Sequence, residues 1–465
     1  MVHVHLVGIG GSGLSAIARI LIERGDVISG SDLEFSPFAQ EIEALGAKVT
    51  IGHHAENIVG ADLVIRSSAI PEDNVEIRAS SKAGIPVYKR SDFLGELMAY
   101  KKGIAVAGTH GKTTTTAMIS WMLSALDQDP SYIIGGVSKN LGRNAHSGEG
   151  EAFVVEADEY DHMFLGLQPQ IAIVTNIEYD HPDCFPTKED FFQAFIDFST
   201  RIKEQGVLIA CQDDPGAAKL VEMMGGFGFS RYTYGLGSQN SLEPLDYSVD
   251  GLTLTKKGFY KYEALFNKEP LAEVSLNIPG IHNAHNALAA LAVAHQLDLS
   301  TADAAEAIAN FQGTERRFEV RGEFSGIEVI DDYAHHPTEI KATLAAARSR
   351  YPGRELWAVW QPHTYSRTSA LFGDFLTAFD DADHVLVTEI YASREASREN
   401  ESSLHVVEAM NHPNAIFLAS NNQVSDYLVS NLKRGDVLMV LSAGDANQIS
   451  EDVIKLLSLN GNKNS

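Results

Sequence analysis

The chain has 465 residues, 44% hydrophobic and 21% charged, the balance of a folded protein of several domains rather than of a disordered chain. Lys and Arg number 36 against 62 Asp and Glu, a formal charge of −26 with no concentrated basic patch, so nucleic acid and anionic membrane surfaces are excluded as natural partners. Two cysteines without CxxC or Cys/His spacing exclude a disulfide framework, and no apolar run approaches the roughly 18 residues of a membrane span, so a cytoplasmic protein is expected.

The predicted elements begin with a strand over 2–7 that runs into a glycine cluster, after which Leu14, Ile17, Ile20, Leu21 and Ile22 recur at helical spacing. Strands at 27–29, 63–66 and 86–88, with helical stretches between them, close a first α/β unit near residue 98. A strand at 103–107 feeds a loop and a helix over 113–126, and further strands follow at 152–156, 171–176 and 207–210. Between 232 and 279 short alternating segments, among them 252–255 and 260–266, predict antiparallel hairpins; an Ala-rich helix over 283–296 comes next. From about residue 312 strands at 327–331, 356–360, 384–388, 415–419 and 437–441 alternate with helical patterns. The expected fold class is α/β in three units. These are a Rossmann-like unit over 1–98, a central P-loop unit over 99–311 with added antiparallel strands, and a second Rossmann-like unit over 312–465.

Gly8, Gly10 and Gly13 satisfy GxGxxG between a strand and a helix, and Asp32 ends the next strand. Glycines let backbone N–H groups approach a diphosphate, and a helix N-terminus adds about half a positive charge there. The spacing suits a dinucleotide cofactor or a UDP-sugar without separating them. A nicotinamide-dependent oxidoreductase would rest on this loop alone.

Residues 108–116 read GTHGKTTTT, a shortened GxxGKT variant of the phosphate loop, again between strand and helix. Backbone amides from Gly108 to Lys112 can wrap phosphate oxygens, Lys112 can reach the β and γ phosphates, and the Thr113 hydroxyl can ligate magnesium. A metal-holding acid belongs at the end of a neighbouring strand, which makes Glu156 and His181 candidate ligands. Asp158, Glu159 and Asp161 are compatible equally with a solvated loop and with function. No NKxD-type guanine reader is present, so the nucleotide is expected to be ATP. Screening over about 8 Å removes most of the distant repulsion between an acidic chain and polyanions. Local cations such as Lys112, Arg317 and Arg367 therefore outweigh the net charge.

Collinear motifs run the length of the chain: GIGGSG at Gly8, GSD at Gly30, SSAI at Ser67, GTHGKTTTT at Gly108, EADEYD at Glu156, TNIEYDH at Thr175, GIHNAHN at Gly280, RRF at Arg316, DDYAHHPTE at Asp331 and QPHTYSRT at Gln361. In these the chain resembles the Mur ligases, which assemble the peptidoglycan precursor. The resemblance implies a three-domain amide ligase that joins L-alanine to UDP-N-acetylmuramate through an acyl phosphate, releasing ADP and phosphate. A sister reaction, attachment of a recycled peptide to the same sugar, is the alternative, and a monomer or homodimer is expected. By the same resemblance Gly10, Gly11, Ser12 and Gly13 grip the UDP diphosphate, and Asp32, His53 and Ser67 contact the nucleotide-sugar. Gly108, Thr109, His110, Gly111, Lys112, Thr113 and Thr114 hold ATP, while Thr113, Glu156 and His181 hold Mg2+. His282, Asn283 and Asn286 take the adenine and ribose side, Arg317 and Asp332 reach the nucleotide from the C-terminal unit, and Tyr333, His363 and Arg367 form the amino-acid end. Lys112, Glu156, His181 and Arg317 would carry the chemistry.

Two departures stand out. Thr364 occupies a position where some alanine-adding members carry Arg, and no lysine is assignable to the carbamylation used by several relatives. His335 and His336 are adjacent, so hydrogen-bonded structural roles are expected of them rather than metal ligation.

Overall fold

Alternating apolar runs build three sheets in succession in a computed structural model that describes residues 1–237, 244–396, 398 and 401–461. β1 (His3–Val7), β2 (Val27–Asp32), β3 (Lys48–Ile51), β4 (Leu63–Arg66) and β5 (Val87–Lys89) form a parallel sheet in the order β3-β2-β1-β4-β5. The order reverses beside β1, so a crevice opens at its C-terminal end, where the glycine loop lies.

The second sheet has ten strands: β6 (Lys102–Ala107), β7 (Ser131–Ser138), β8 (Arg143–His146), β9 (Ala152–Glu156), β10 (Ile171–Val174), β11 (Val207–Cys211), β12 (Ser230–Tyr234), β13 (Tyr247–Leu254), β14 (Phe259–Phe266) and β15 (Glu269–Pro279). Its order is β15-β14-β13-β12-β11-β10-β6-β9-β7-β8, with antiparallel pairing at β13-β14, β14-β15 and β7-β8. β6 is central and almost wholly buried, and it delivers the chain into the phosphate loop and the helix Lys112–Ala125. The helix Ile281–Gln296 is Ala-rich because it is enclosed on nearly every side: Ala284 and the whole run from Asn286 to Ala294 are buried.

The third sheet joins β16 (Glu319–Phe324), β17 (Ile327–Asp332), β18 (Leu356–Trp360), β19 (His384–Val387), β20 (Ala415–Phe417) and β21 (Val437–Leu441) in the order β16-β17-β21-β18-β19-β20, with only β16 antiparallel. One apolar cluster runs unbroken from Val4 through Leu97 and Ile104 to Phe311, across the first and second sheets. The third sheet has separate clusters of its own, such as that around Trp360 and Phe375. Among the described residues no helix is long and apolar enough to cross a membrane.

Some elements differ from the sequence expectation. β3, β7, β8 and β16 were not expected. β3 and β8 are short and lie at or near sheet edges, β7 is interrupted by Gly135 and Gly136, and β16 alternates without a strong apolar face. β10 ends at Val174 rather than at Asn176, because Thr175 and Asn176 turn away to bond the phosphate loop.

Candidate functional site

The first glycine loop is locked from inside its own sheet. The amides of Gly8 and Ile9 donate to Ser31 O, and the Gly10 amide donates to Asp32 Oδ2 at 2.8 Å. Ser67 leans on the loop from β4, its Cβ standing 3.0 Å from where a Cβ on Gly8 would be. His53 follows β3 and places Nδ1 3.0 Å from Ser31 Oγ. Gly11, Ser12 and Gly13 open the helix Ser12–Glu23, whose first-turn amides have no intrahelical acceptor. The Arg90 guanidinium lies directly over Gly13, where any side chain would collide with it, and reaches to 3.8 Å from Asp158.

The phosphate loop is held by its neighbours. Gly108 has φ +135, and a Cβ there would strike Thr175 Oγ1, so only glycine fits. Thr109 donates its amide to Asn176 O and its hydroxyl to Glu178 O, and the His110 amide donates to Asn176 Oδ1. These two residues therefore brace the loop, and Gly111, Lys112 and Thr113 carry its open face. Gly111 lies against Asn286, which in turn donates to Asn283 Oδ1 at 3.0 Å.

Lys112 Nζ folds back on Gly108 O at 2.6 Å and pairs with Glu159 at 2.8 Å. Burial alone would lower its pKa; Glu159, Asp158 and Glu156 raise it instead. The Thr113 hydroxyl donates to Glu156 Oε1 at 3.0 Å, and the Gly135 amide donates to Oε2 at 2.8 Å. Burial raises the Glu156 carboxyl above its usual range despite Lys112 nearby. His181 sets Nε2 3.6 Å from Glu159 and 3.8 Å from Asp180, and these acids outweigh burial to raise its pKa.

The third unit closes over this face. Glu339 lies 3.3 Å from His110 Nδ1 and 3.4 Å from Arg317 Nη1, while His110 Nε2 is 3.1 Å from Glu178. Burial would lower the His110 pKa, but its two carboxylate partners raise it to about 9. Thr338 donates to Glu178 Oε1 at 2.7 Å. Between the two units a cavity of about 330 Å³ is lined by His110, Gly111, Thr113, Thr114, His282, Asn283, Asn286, Arg317, Asp332 and Glu339 among others. Within it His282 Nδ1 is buried with no hydrogen-bond partner, and burial, reinforced by His285 and Arg317, pushes that ring down to about 4. Asp332 accepts from the amides of Phe318 and Ala334, each at 2.7 Å; burial outweighs Arg317 and pushes it up to about 6.

At the far end of the junction Arg367 grips Asp180 through Nε at 2.7 Å and Nη2 at 3.2 Å, and its Nη1 donates to His363 Nδ1 at 3.1 Å. Burial, then Arg367, pushes the His363 ring down to about 4. Tyr333 sits beneath the Arg317 guanidinium at 5.0 Å. His335 donates Nδ1–H to Tyr333 O at 3.0 Å, and His336 accepts from the Thr338 amide at 3.3 Å as the N-cap of the helix Pro337–Arg350. Both histidines are thus hydrogen-bonded within their own turn, although the His336 ring also packs at a tilt against His110, 4.6 Å between centroids, with Glu178 close by.

Family models match in chain order: "Mur ligase family, catalytic domain" over 3–102, "Mur ligase middle domain" over 106–294 and "Mur ligase, glutamate ligase domain" over 316–444. The UDP-N-acetylmuramate--L-alanine ligase of Caldanaerobacter subterraneus subsp. tengcongensis is 39% identical over 455 residues, 97% of each chain. The chain belongs to the Mur ligase family. A solved UDP-N-acetylmuramate-alanine ligase from Thermotoga maritima superposes with a TM-score of 0.82 at 27% identity, covering 99% of this chain and 100% of that one. A murein peptide ligase from Psychrobacter arcticus follows at 0.72 and 26%, covering 98% and 99%.

Of this Mur ligase site, Glu178 and Glu339 escaped the sequence reading, and Glu159 was left open between a solvated and a functional role. Glu159 is fully buried as the partner of Lys112, and Glu178 and Glu339 clasp His110. One signal pointed to the first of these: a lysine inside a phosphate loop needs an acidic partner when no phosphate is present, and EADEYD offered several. Glu339 gave none, because its partner lies 229 positions away (339 − 110).

Proposed function

We propose that this Mur ligase joins L-alanine to UDP-N-acetylmuramate, consuming ATP and releasing ADP and phosphate. The observation that carries the reading is near-full-length identity of about two fifths to relatives named for that reaction. ATP use is a family property, and the cavity fits it. The space is of nucleotide size, the phosphate loop forms one wall, and the orphaned His282 nitrogen waits beside Asn283 on the opposite wall. The residues over 1–98, 99–311 and 312–465 are taken as the sugar-nucleotide, ATP and closing units.

The donor set also fits magnesium. Thr113 and Glu156 offer hard oxygens, and the raised Glu156 carboxyl gains from a cation beside it, while His181 stands against Glu159 and Asp180 instead. Bound there, magnesium supplies charge neutralisation for phosphate oxygens.

A carboxylate does not react with an amine in water, so the sugar-linked acid must first be activated. That carboxylate attacks the terminal phosphoryl group, and ADP departs. Lys112 leaves Glu159 and the loop carbonyls to follow the charge that develops, a contribution of several kcal/mol in sites of this kind. Arg317, steered by Glu339, presents a second cation from the closing unit. The alanine amine then attacks the acyl carbon, with Arg367 orienting the amino-acid carboxylate, and the bond from the acyl carbon to the phosphate oxygen breaks, phosphate leaving with the proton that the amine gives up. An acyl phosphate hydrolyses readily, and the His110–Glu339 contact holds the third unit down while it exists.

Phosphate release should require UDP-N-acetylmuramate and an amino acid together, with alanine preferred over glycine, serine and a tripeptide. ATP left intact with every reactant present would sink the reading, and tripeptide preference would transfer it to the murein peptide ligases, which the Psychrobacter neighbour represents. Hydroxylamine supplied in place of alanine should yield the hydroxamate of the activated acid.

A further inference from the structure

Glu76 is fully buried in the first unit, and both of its oxygens are engaged by separate segments. Oε1 accepts from the His54 amide at 3.1 Å and from Asn57 Nδ2 at 2.6 Å. Oε2 accepts from Ser31 Oγ at 2.7 Å and faces His5 Nε2 at 3.2 Å. Burial alone would raise this carboxyl, but the hydrogen bonds from His5, Ser31 and Asn57 prevail and lower it to about 2, so it is ionised.

An ionised carboxylate only accepts, so the single hydroxyl hydrogen of Ser31 is committed to Glu76. His53 Nδ1 lies 3.0 Å from that same Ser31 oxygen and 3.6 Å from Glu76 Oε1. With acceptors on both, Nδ1 must be the donor. Neutral His53 then carries its hydrogen on Nδ1 and leaves Nε2 as a bare acceptor, for which no partner stands among the described residues. Its ring is 12% exposed. The position gives this meaning. Asp32 clasps the glycine loop through the Gly10 amide, and Ser31 and His53 lie next outward along the C-terminal ends of β2 and β3. In a doubly wound sheet that is where a base sits when the diphosphate occupies the glycine loop.

We propose that Glu76, acting through Ser31, fixes His53 as a hydrogen-bond acceptor that selects a base bearing a ring N–H, a uracil rather than a cytosine. The inference rests on the reading of this loop as a sugar-nucleotide site. His53 reads the base; Glu76 and Ser31 are positioning residues. A cytosine would bring the bare lone pair of N3 against the bare lone pair of Nε2.

Glu76→Gln tests the relay because its outcome is directional. The His54 amide cannot reverse, so the new side-chain amide must replace Oε2, beside Ser31. Ser31 then accepts from it and donates to His53 Nδ1, which moves the ring hydrogen to Nε2. Calorimetric titration of the full chain with UDP and, separately, CDP at pH 8 reads the result. The unsubstituted protein should prefer UDP by roughly tenfold or more, and Glu76→Gln should bring the ratio to one or invert it. A general loss of folding weakens both nucleotides together, so an unchanged ratio in a folded variant overturns the relay. Should Glu76→Gln not fold, His53→Gln, whose amide can present either end, must also drive the ratio toward one; a persisting preference overturns the proposal. Nitrogen-15 shifts of the His53 ring provide a readout independent of ligand: hydrogen on Nδ1 supports the relay and hydrogen on Nε2 refutes it. Failure of the unsubstituted protein to bind either nucleotide would refute the sugar-nucleotide reading itself, and the ring shifts would still decide the relay separately.

Discussion

The two junctions between the units differ in their main material, although Glu23 also pairs with Arg143 at 3.2 Å and with His146 at 2.9 Å across the first. The first and second units share one continuous apolar cluster, in which Leu94, Leu97 and Met98 from the connecting helix bury beside Ile104 and Ala105. The second and third meet through Glu339, His110, Glu178, Thr338, Arg367 and Asp180, and through Arg394, which reaches Asp183 at 3.0 Å and covers the Tyr160 ring at 3.7 Å. Apolar burial is non-directional and is lost in any separation, whereas ion pairs that re-solvate on parting cost little to break. The first junction therefore suits a rigid mount for the first glycine loop, and the second a contact that can be made and broken around the cavity beside the phosphate loop.

Lys112→Ala probes this division most severely. Turnover should fall by about a thousandfold or more, since a charge-stabilising group at the phosphoryl centre is lost. UDP binding at the first loop should stay within about twofold, because that loop is mounted through apolar packing that Lys112 does not touch. Parallel loss of UDP affinity in a calorimetric titration would show that the two sites are not independently supported.

Arg367→Ala addresses the polar junction. The alanine KM should rise by about a hundredfold and the ATP KM by only a few-fold, as loss of a cation assigned to the amino-acid carboxylate predicts. The substitution also strands Asp180, which Arg367 and His181 hold well below the usual carboxylate range against the effect of burial. An unpaired buried charge of this kind costs about 3–5 kcal/mol. The double variant Arg367→Ala/Asp180→Asn should therefore recover melting temperature without recovering the alanine KM. Recovery of both would make the arginine structural.

Much of this architecture was legible from local signals. The strands 63–66, 152–156, 356–360 and 437–441 are compact apolar runs, and both glycine loops sit at strand-to-helix turns. Burial on both faces of a parallel sheet writes such runs plainly. β3 and β8 were illegible because strands at or near a sheet edge need no apolar face. The Glu339–His110 contact and the Glu76 relay were illegible for another reason: each depends on which side chains the fold brings together over long separations, and a lone glutamate in a helix looks the same whether solvated or clasping a histidine. For Glu159 the sequence left a solvated and a functional reading equally open, and burial decided between them.

The polar junction also carries a pH signature. His110 binds its proton with a pKa of about 9 in the folded protein against an ordinary 6.5, so its stabilising contribution is complete below about 6.5 and fades as pH rises through 9. Glu178 has the opposite sign: it is lowered to about 2 from 4.5, and its contribution exists above 4.5 and is lost as pH falls toward 2. The contact should be strongest between pH 4.5 and 6.5. The melting temperature of the nucleotide-free protein should decline from pH 7 to 9.5 more steeply than that of His110→Asn, and parallel curves would remove His110 from the contact. Thr338→Val defines the lower limit of the comparison. It deletes one hydrogen bond to a carboxylate that is 42% exposed, so stability should change by less than about 1 kcal/mol. A small rise in the ATP KM with no change in UDP affinity would place even this weak bond on the closing side of the molecule. A shift in UDP affinity would mean that closure reaches the first unit through the apolar mount after all.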